Sequence, residues 1–105
     1  MLRVKLEFYK GILFVRFKGI LDKNNIKETD LNNILEELGF KMVVFNINDI
    51  KAIDSYGIKF LINYNTKLKK YNGKAIVCQN NKEFIDKFIP KIKFIKKEKE
   101  VFNTV

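Results

Sequence analysis

The tetrapeptide Asp54-Ser55-Tyr56-Gly57 is the segment whose residue types and spacing could do chemistry. A serine at the start of a helix has two uses. Its hydroxyl can cap the open N–H groups of the first turn, a contribution of about 1 kcal/mol. It can also accept a phosphate, because a helix N-terminus supports a dianion through the same N–H groups and the helix dipole. In that case the fold survives and the surface changes, gaining roughly two negative charges beside Asp54. Gly57 would let backbone or a partner come close to the hydroxyl. On the local sequence alone, both the cap and the phospho-acceptor stand open.

Little else in the chain is suited to catalysis. It contains no His and one Cys, which removes the commonest general base and the thiol-rich metal sites. No phosphate-cradling Gly-rich loop, nucleophile–base pair or metal-ligand cluster can be read from it. Cys78 closes an apolar run and reads as a small buried hydrophobe. Glu36 and Glu37 read as solvated surface. Tyr64 and Tyr71 read as core packing, and Tyr56 as an aromatic exposed beside Ser55. No catalytic activity, metal or cofactor is expected; the domain reads as a substrate for another enzyme.

The charge of +9 comes from 21 basic and 12 acidic residues, and every basic residue except Arg3 and Arg16 is a lysine. Lys, Asn and Ile are all abundant, as in a chain encoded by an A+T-rich genome. Since Arg is the residue best suited to bidentate phosphate or base contact, direct nucleic-acid binding is a minor reading. The acidic excess lies between Ile20 and Ser55, with a basic excess before it and a larger one after it. No signal-peptide core and no apolar run of about 18 residues is present, so an intracellular, cytoplasmic domain without a membrane span is expected.

These residues need elements to position them. Val4–Phe8 alternates apolar and charged residues, and Ile12–Lys18 places Leu13, Val15 and Phe17 on one face, with Tyr9-Lys10-Gly11 between them. That is a hairpin. A polar loop at Lys23-Asn24-Asn25 follows. Leu31, Ile34, Leu35 and Leu38 then recur with helical spacing up to Gly39. Met42–Ile47 reads as a central strand, Asn48–Asp54 as a loop, and Ser55 to Tyr71 as a helix using Ile58, Leu61, Ile62, Tyr64, Leu68 and Tyr71. Asn72-Gly73 stops that helix. Ala75–Cys78 is a strand, and Asn80 with Glu83 suggests a capped helix carrying Phe84, Ile85, Phe88 and Ile89 up to Pro90. Ile92–Ile95 is a last strand. The Lys- and Glu-rich run from Lys96 to Glu100 reads as a solvated helix start, with Glu98–Phe102 a short closing helix. The expectation is an α/β domain over 1–105: a mainly parallel mixed sheet of about five strands, an N-terminal antiparallel hairpin and three to four packed helices.

Val15–Asp22, Val43–Ile47, Asp54–Ile58 and Asn72-Gly73-Lys74 leading to Val77-Cys78 carry a resemblance. Gly19-Ile20-Leu21-Asp22, followed at a distance by Asp54-Ser55-Tyr56-Gly57 and a long helix, is similar to the STAS domain. More narrowly, the chain resembles the free-standing anti-sigma factor antagonists of bacterial sporulation and stress signalling. The resemblance implies a STAS-like fold and phosphorylation of Ser55 by a partner anti-sigma factor that is itself a GHKL-type serine kinase. It also implies docking through Asp22, Asp54, Tyr56, Gly57 and Lys59, release of a sigma factor by the unphosphorylated form, and a phosphatase that restores that form. A monomer when free is expected. Tyr56 replaces a small residue of the family pattern, and Lys59 brings a positive charge to the docking helix. An accessory or scaffold STAS subunit of a stress-signalling or lipid-transport complex, with Ser55 only a cap, is the alternative.

Overall fold

The computed structural model describes residues 1–88 and 91–103. Lys10 and Gly11 both take positive φ, 50° and 79°, the backbone that a two-residue turn needs to match strand twist. They join β1 (Leu2–Tyr9) to β2 (Ile12–Leu21) as the expected antiparallel hairpin. The chain continues through α1 (Lys23–Thr29), α2 (Leu31–Leu38), β3 (Met42–Ile53), α3 (Ser55–Lys69), β4 (Lys74–Cys78), α4 (Lys82–Asp86) and β5 (Lys93–Ile95). A 3-10 helix, Glu98–Asn103, comes last. The strands form one five-stranded sheet in the order β1-β2-β3-β4-β5. All pairings after the hairpin are parallel.

The central strands are apolar on both faces because both faces are covered. Leu13, Val15 and Phe17 of β2 join Val43, Phe45 and Ile47 of β3 beneath Leu61, Tyr64 and Leu68 of α3. Phe45 meets the Tyr64 ring edge-on at 5.6 Å. On the opposite face Ile12, Phe14, Val44, Ile76 and Cys78 pack against Val101 of the 3-10 helix. The fold class follows the expectation.

Several local expectations need correction. The polar loop at Lys23-Asn24-Asn25 is the first turn of α1, which buries only Ile26 and therefore has no apolar stripe to read. Asp30, at φ 53°, ends α1 and starts α2. Asn48–Asp54 is not a loop: β3 runs to Ile53, and its polar half still pairs with β2 through two register shifts. Of the four apolar positions of α2, only Leu31 and Leu35 are buried. Tyr71 lies past the end of α3 and is 64% exposed, not core. The α4 cap is Asn81, whose side chain accepts from the Glu83 N–H, rather than Asn80. Ile92 is buried but precedes β5. Ile89 and Pro90, expected to close α4, lie outside the described residues.

The Lys96–Glu100 run is not simply solvated either. Glu98 accepts from Arg16 Nε and Nη2, both at 2.8 Å, and from Asn46 Nδ2 at 2.7 Å. It thereby fastens the 3-10 helix to β2 and β3.

Candidate functional site

Leu21 and Ile53, the last residues of two neighbouring parallel strands, stand opposite each other. Each is followed by an aspartate that caps a helix. Asp22 accepts from the Asn25 N–H at 2.9 Å at the head of α1. Asp54 accepts from the Gly57 N–H at 2.7 Å at the head of α3. Cross-links join the two ends: the Lys23 N–H donates to Asp54 Oδ2 at 3.2 Å, and the Asp54 N–H donates to the Leu21 carbonyl at 3.3 Å.

Sequence reasoning offered Ser55 as a possible cap, and the structure gives that role to Asp54, one residue back. Asp54 has extended backbone, φ −96° and ψ 178°, and its carboxylate reaches the third N–H of the helix, the usual geometry of a capping residue. Ser55 is the first residue of α3 and is exposed. Among the described residues its hydroxyl has no hydrogen-bond partner.

Gly57 is buried and offers no surface to a partner. A Cβ there would lie 2.4 Å from the Leu21 carbonyl oxygen and 2.9 Å from Ile53 Cγ1. The close approach that glycine permits is therefore between α3 and the molecule's own strand ends. Asp22 is half-buried, and one of its carboxylate oxygens is engaged by its cap. Tyr56 and Lys59 are exposed. Lys59 is one helical turn from Ser55, which puts the two on one flank of α3.

Tyr56 and Lys59 also line an open groove of about 570 Å³ between α3 and the α1–α2 segment, with Lys27, Asp30, Asn33 and Phe60 among its other walls. Sequence reasoning found the α2 part of this second wall and missed the α1 part. The one available signal was Asp22 standing three residues before Asn25, a helix start hidden by the polar residues after it. The site thus combines an exposed hydroxyl at a long helix's N-terminus, two neighbouring carboxylates and a mixed polar–aromatic groove. None of these groups is arranged as a nucleophile with its base.

Residues 3–105 match the family model for the STAS domain. The chain belongs to the STAS domain family. Among solved structures, the anti-sigma factor antagonist SpoIIAA in its unphosphorylated form superposes with a TM-score of 0.78 at 15% identity, over 97% of this chain and 96% of that one. The phosphorylated Bacillus cell fate determinant SpoIIAA gives 0.70 at 14%, over 98% and 100%. An anti-sigma factor antagonist from Mycobacterium paratuberculosis gives 0.80 at 15%, over 100% and 94%. At these identities the likeness is one of STAS fold.

Proposed function

We propose that this STAS domain is an anti-sigma factor antagonist that acts in the cytoplasm and is switched by phosphorylation of Ser55. One observation carries the reading: Asp54 caps α3, leaving the Ser55 hydroxyl exposed and unengaged on the first turn. That SpoIIAA has been solved in unphosphorylated and phosphorylated forms supports it.

In this reading the partner is an anti-sigma factor with serine kinase activity. It docks over Ser55, Tyr56 and Lys59 with Asp22 and Asp54 alongside, and its docking frees the sigma factor. Ser55 Oγ attacks the γ-phosphorus of the kinase's ATP. The Oγ–P bond forms, the bond to the β-phosphate oxygen breaks, ADP leaves, and the hydroxyl proton passes to a base on the kinase. The helix N-terminus tolerates the product. The surface beside Asp22 and Asp54 gains about two negative charges, and docking weakens. A phosphatase reverses the change.

Incubation with ATP and the kinase encoded nearest its gene is expected to raise the intact mass by one phosphate. Ser55→Ala should bind the kinase and remain unlabelled. If Ser55→Ala is labelled as well as wild type, the site is wrong. If no such kinase binds, the accessory-subunit reading replaces this one.

A further inference from the structure

β1 is a long sheet edge with a free side. The opposite edge, β5, spans Lys93–Ile95 only, whereas β1 runs for eight residues. Which backbone groups β1 presents follows from the hairpin. Tyr9 and Ile12 flank its two-residue turn and face each other, so the turn's hydrogen bond joins them. Antiparallel pairs alternate in phase, so Tyr9, Glu7, Lys5 and Arg3 bond inward to β2. The Ile20 N–H donating to the Met1 carbonyl at 3.2 Å agrees with this phase. Leu2, Val4, Leu6 and Phe8 therefore point their N–H and C=O groups outward.

An exposed edge of this kind templates another strand unless charge or shape prevents it. Here the charges select a partner. Lys5 stands opposite Arg16 on β2 and, among the described residues, makes no ion pair. Glu7 is paired to Arg16 on one side only. Leu6 and Phe8 are 38% and 60% exposed.

We propose that a second copy of this chain pairs with β1, antiparallel about a two-fold axis at Leu6, to give a continuous ten-stranded sheet. In a two-fold pair, outward-bonding residues must face each other, so the axis passes through a residue. An axis at Val4 sets Arg3 against Lys5. One at Lys5 or Glu7 sets that residue against its own copy. An axis at Leu6 places Lys5 against Glu7 twice, Val4 against Phe8 twice and Leu6 against Leu6. That register alone among these avoids like charges, and it joins an aromatic to a β-branched side chain. The interface is isologous. Glu98, Arg16, Glu7 and the second copy's Lys5 then form one ladder of alternating charge. The two Ser55 surfaces lie at opposite ends of the joined sheet, so the pairing is independent of the proposed switch.

Sedimentation of the full chain over about 1 µM to about 1 mM, a range suited to a small interface, is expected to show a monomer–dimer equilibrium that weakens with salt. Lys5→Glu and Glu7→Lys are each expected to weaken it about tenfold or more. The double swap, in which the new carboxylate at position 5 also stands opposite Arg16, is expected to restore it. Leu6→Pro removes an N–H that β2 does not use, so it should give a folded monomer. If that variant misfolds, the charge swap still decides. A monomer at every concentration, a double swap that fails to restore pairing, or capture of an acidic–apolar extended peptide without self-association would overturn the proposal.

Discussion

At Gly57 the site depends on a hydrogen atom. Its Cα sits where a methyl would press 2.4 Å from a backbone oxygen of β2, and neither strand end nor helix can yield without straining the other. Gly57→Ala is expected to cost about 1–3 kcal/mol, the usual range for overpacking, read as a lower urea midpoint with an unchanged slope. Whether Asp54 or Ser55 would be the cap was not legible, because both residue types cap well and the choice is one of backbone angle. Asn80 and Asn81 posed the same ambiguity at α4. What could be read was that a serine stood at the head of a long helix after a buried strand. Freed from capping, that serine is the better candidate for modification.

Among the elements, the closing 3-10 helix is held by the least local ion pair described. Glu98 and Arg16 are 82 residues apart, and the bidentate contact between them is only partly exposed. Hydrogen bonding from Arg16 lowers the Glu98 carboxyl below its ordinary range; burial opposes this, and Asn46 and the Arg16 charge assist it. A carboxyl lowered on folding stabilises the fold at pH values above its unfolded range. That contribution is lost as pH falls through the folded value. Glu98→Gln is therefore expected to cost about 1–2 kcal/mol at neutral pH. The gap should close on acidification in paired denaturant titrations. No spacing rule links positions so far apart, so this tie was invisible in the sequence, where Glu98 looked like one charge in a solvated run. The hairpin and the stops after α2 and α3 were legible because turn chemistry and apolar periodicity are local. The second half of β3 was not: Asn48, Asp49 and Lys51 interrupt the apolar run, and the strand continues there through the pairing of Asp49, Ile50, Ala52 and Ile53 with β2.

Taken as a whole, the molecule has a core on each face of its sheet, and the smaller one depends on the chain's last helix. Cys78 belongs to that smaller core and is fully buried. Burial, helped by the nearby Glu98 charge, pushes its thiol up to about 11. At pH 8 a thiol reagent is expected to label wild type only as fast as the protein unfolds. Val101→Ala should speed labelling while far-ultraviolet circular dichroism stays unchanged, which would show that the smaller core opens separately. The double aspartate clip has a practical consequence for anyone who adds a probe. Asp54 serves α3 with one oxygen and the α1 backbone with the other, so a fluorophore or tag inserted near Lys23 would also perturb the ground on which Ser55 stands. The exposed turn at Asn72, at the far rim of the sheet, is the site where an insertion would leave that ground intact.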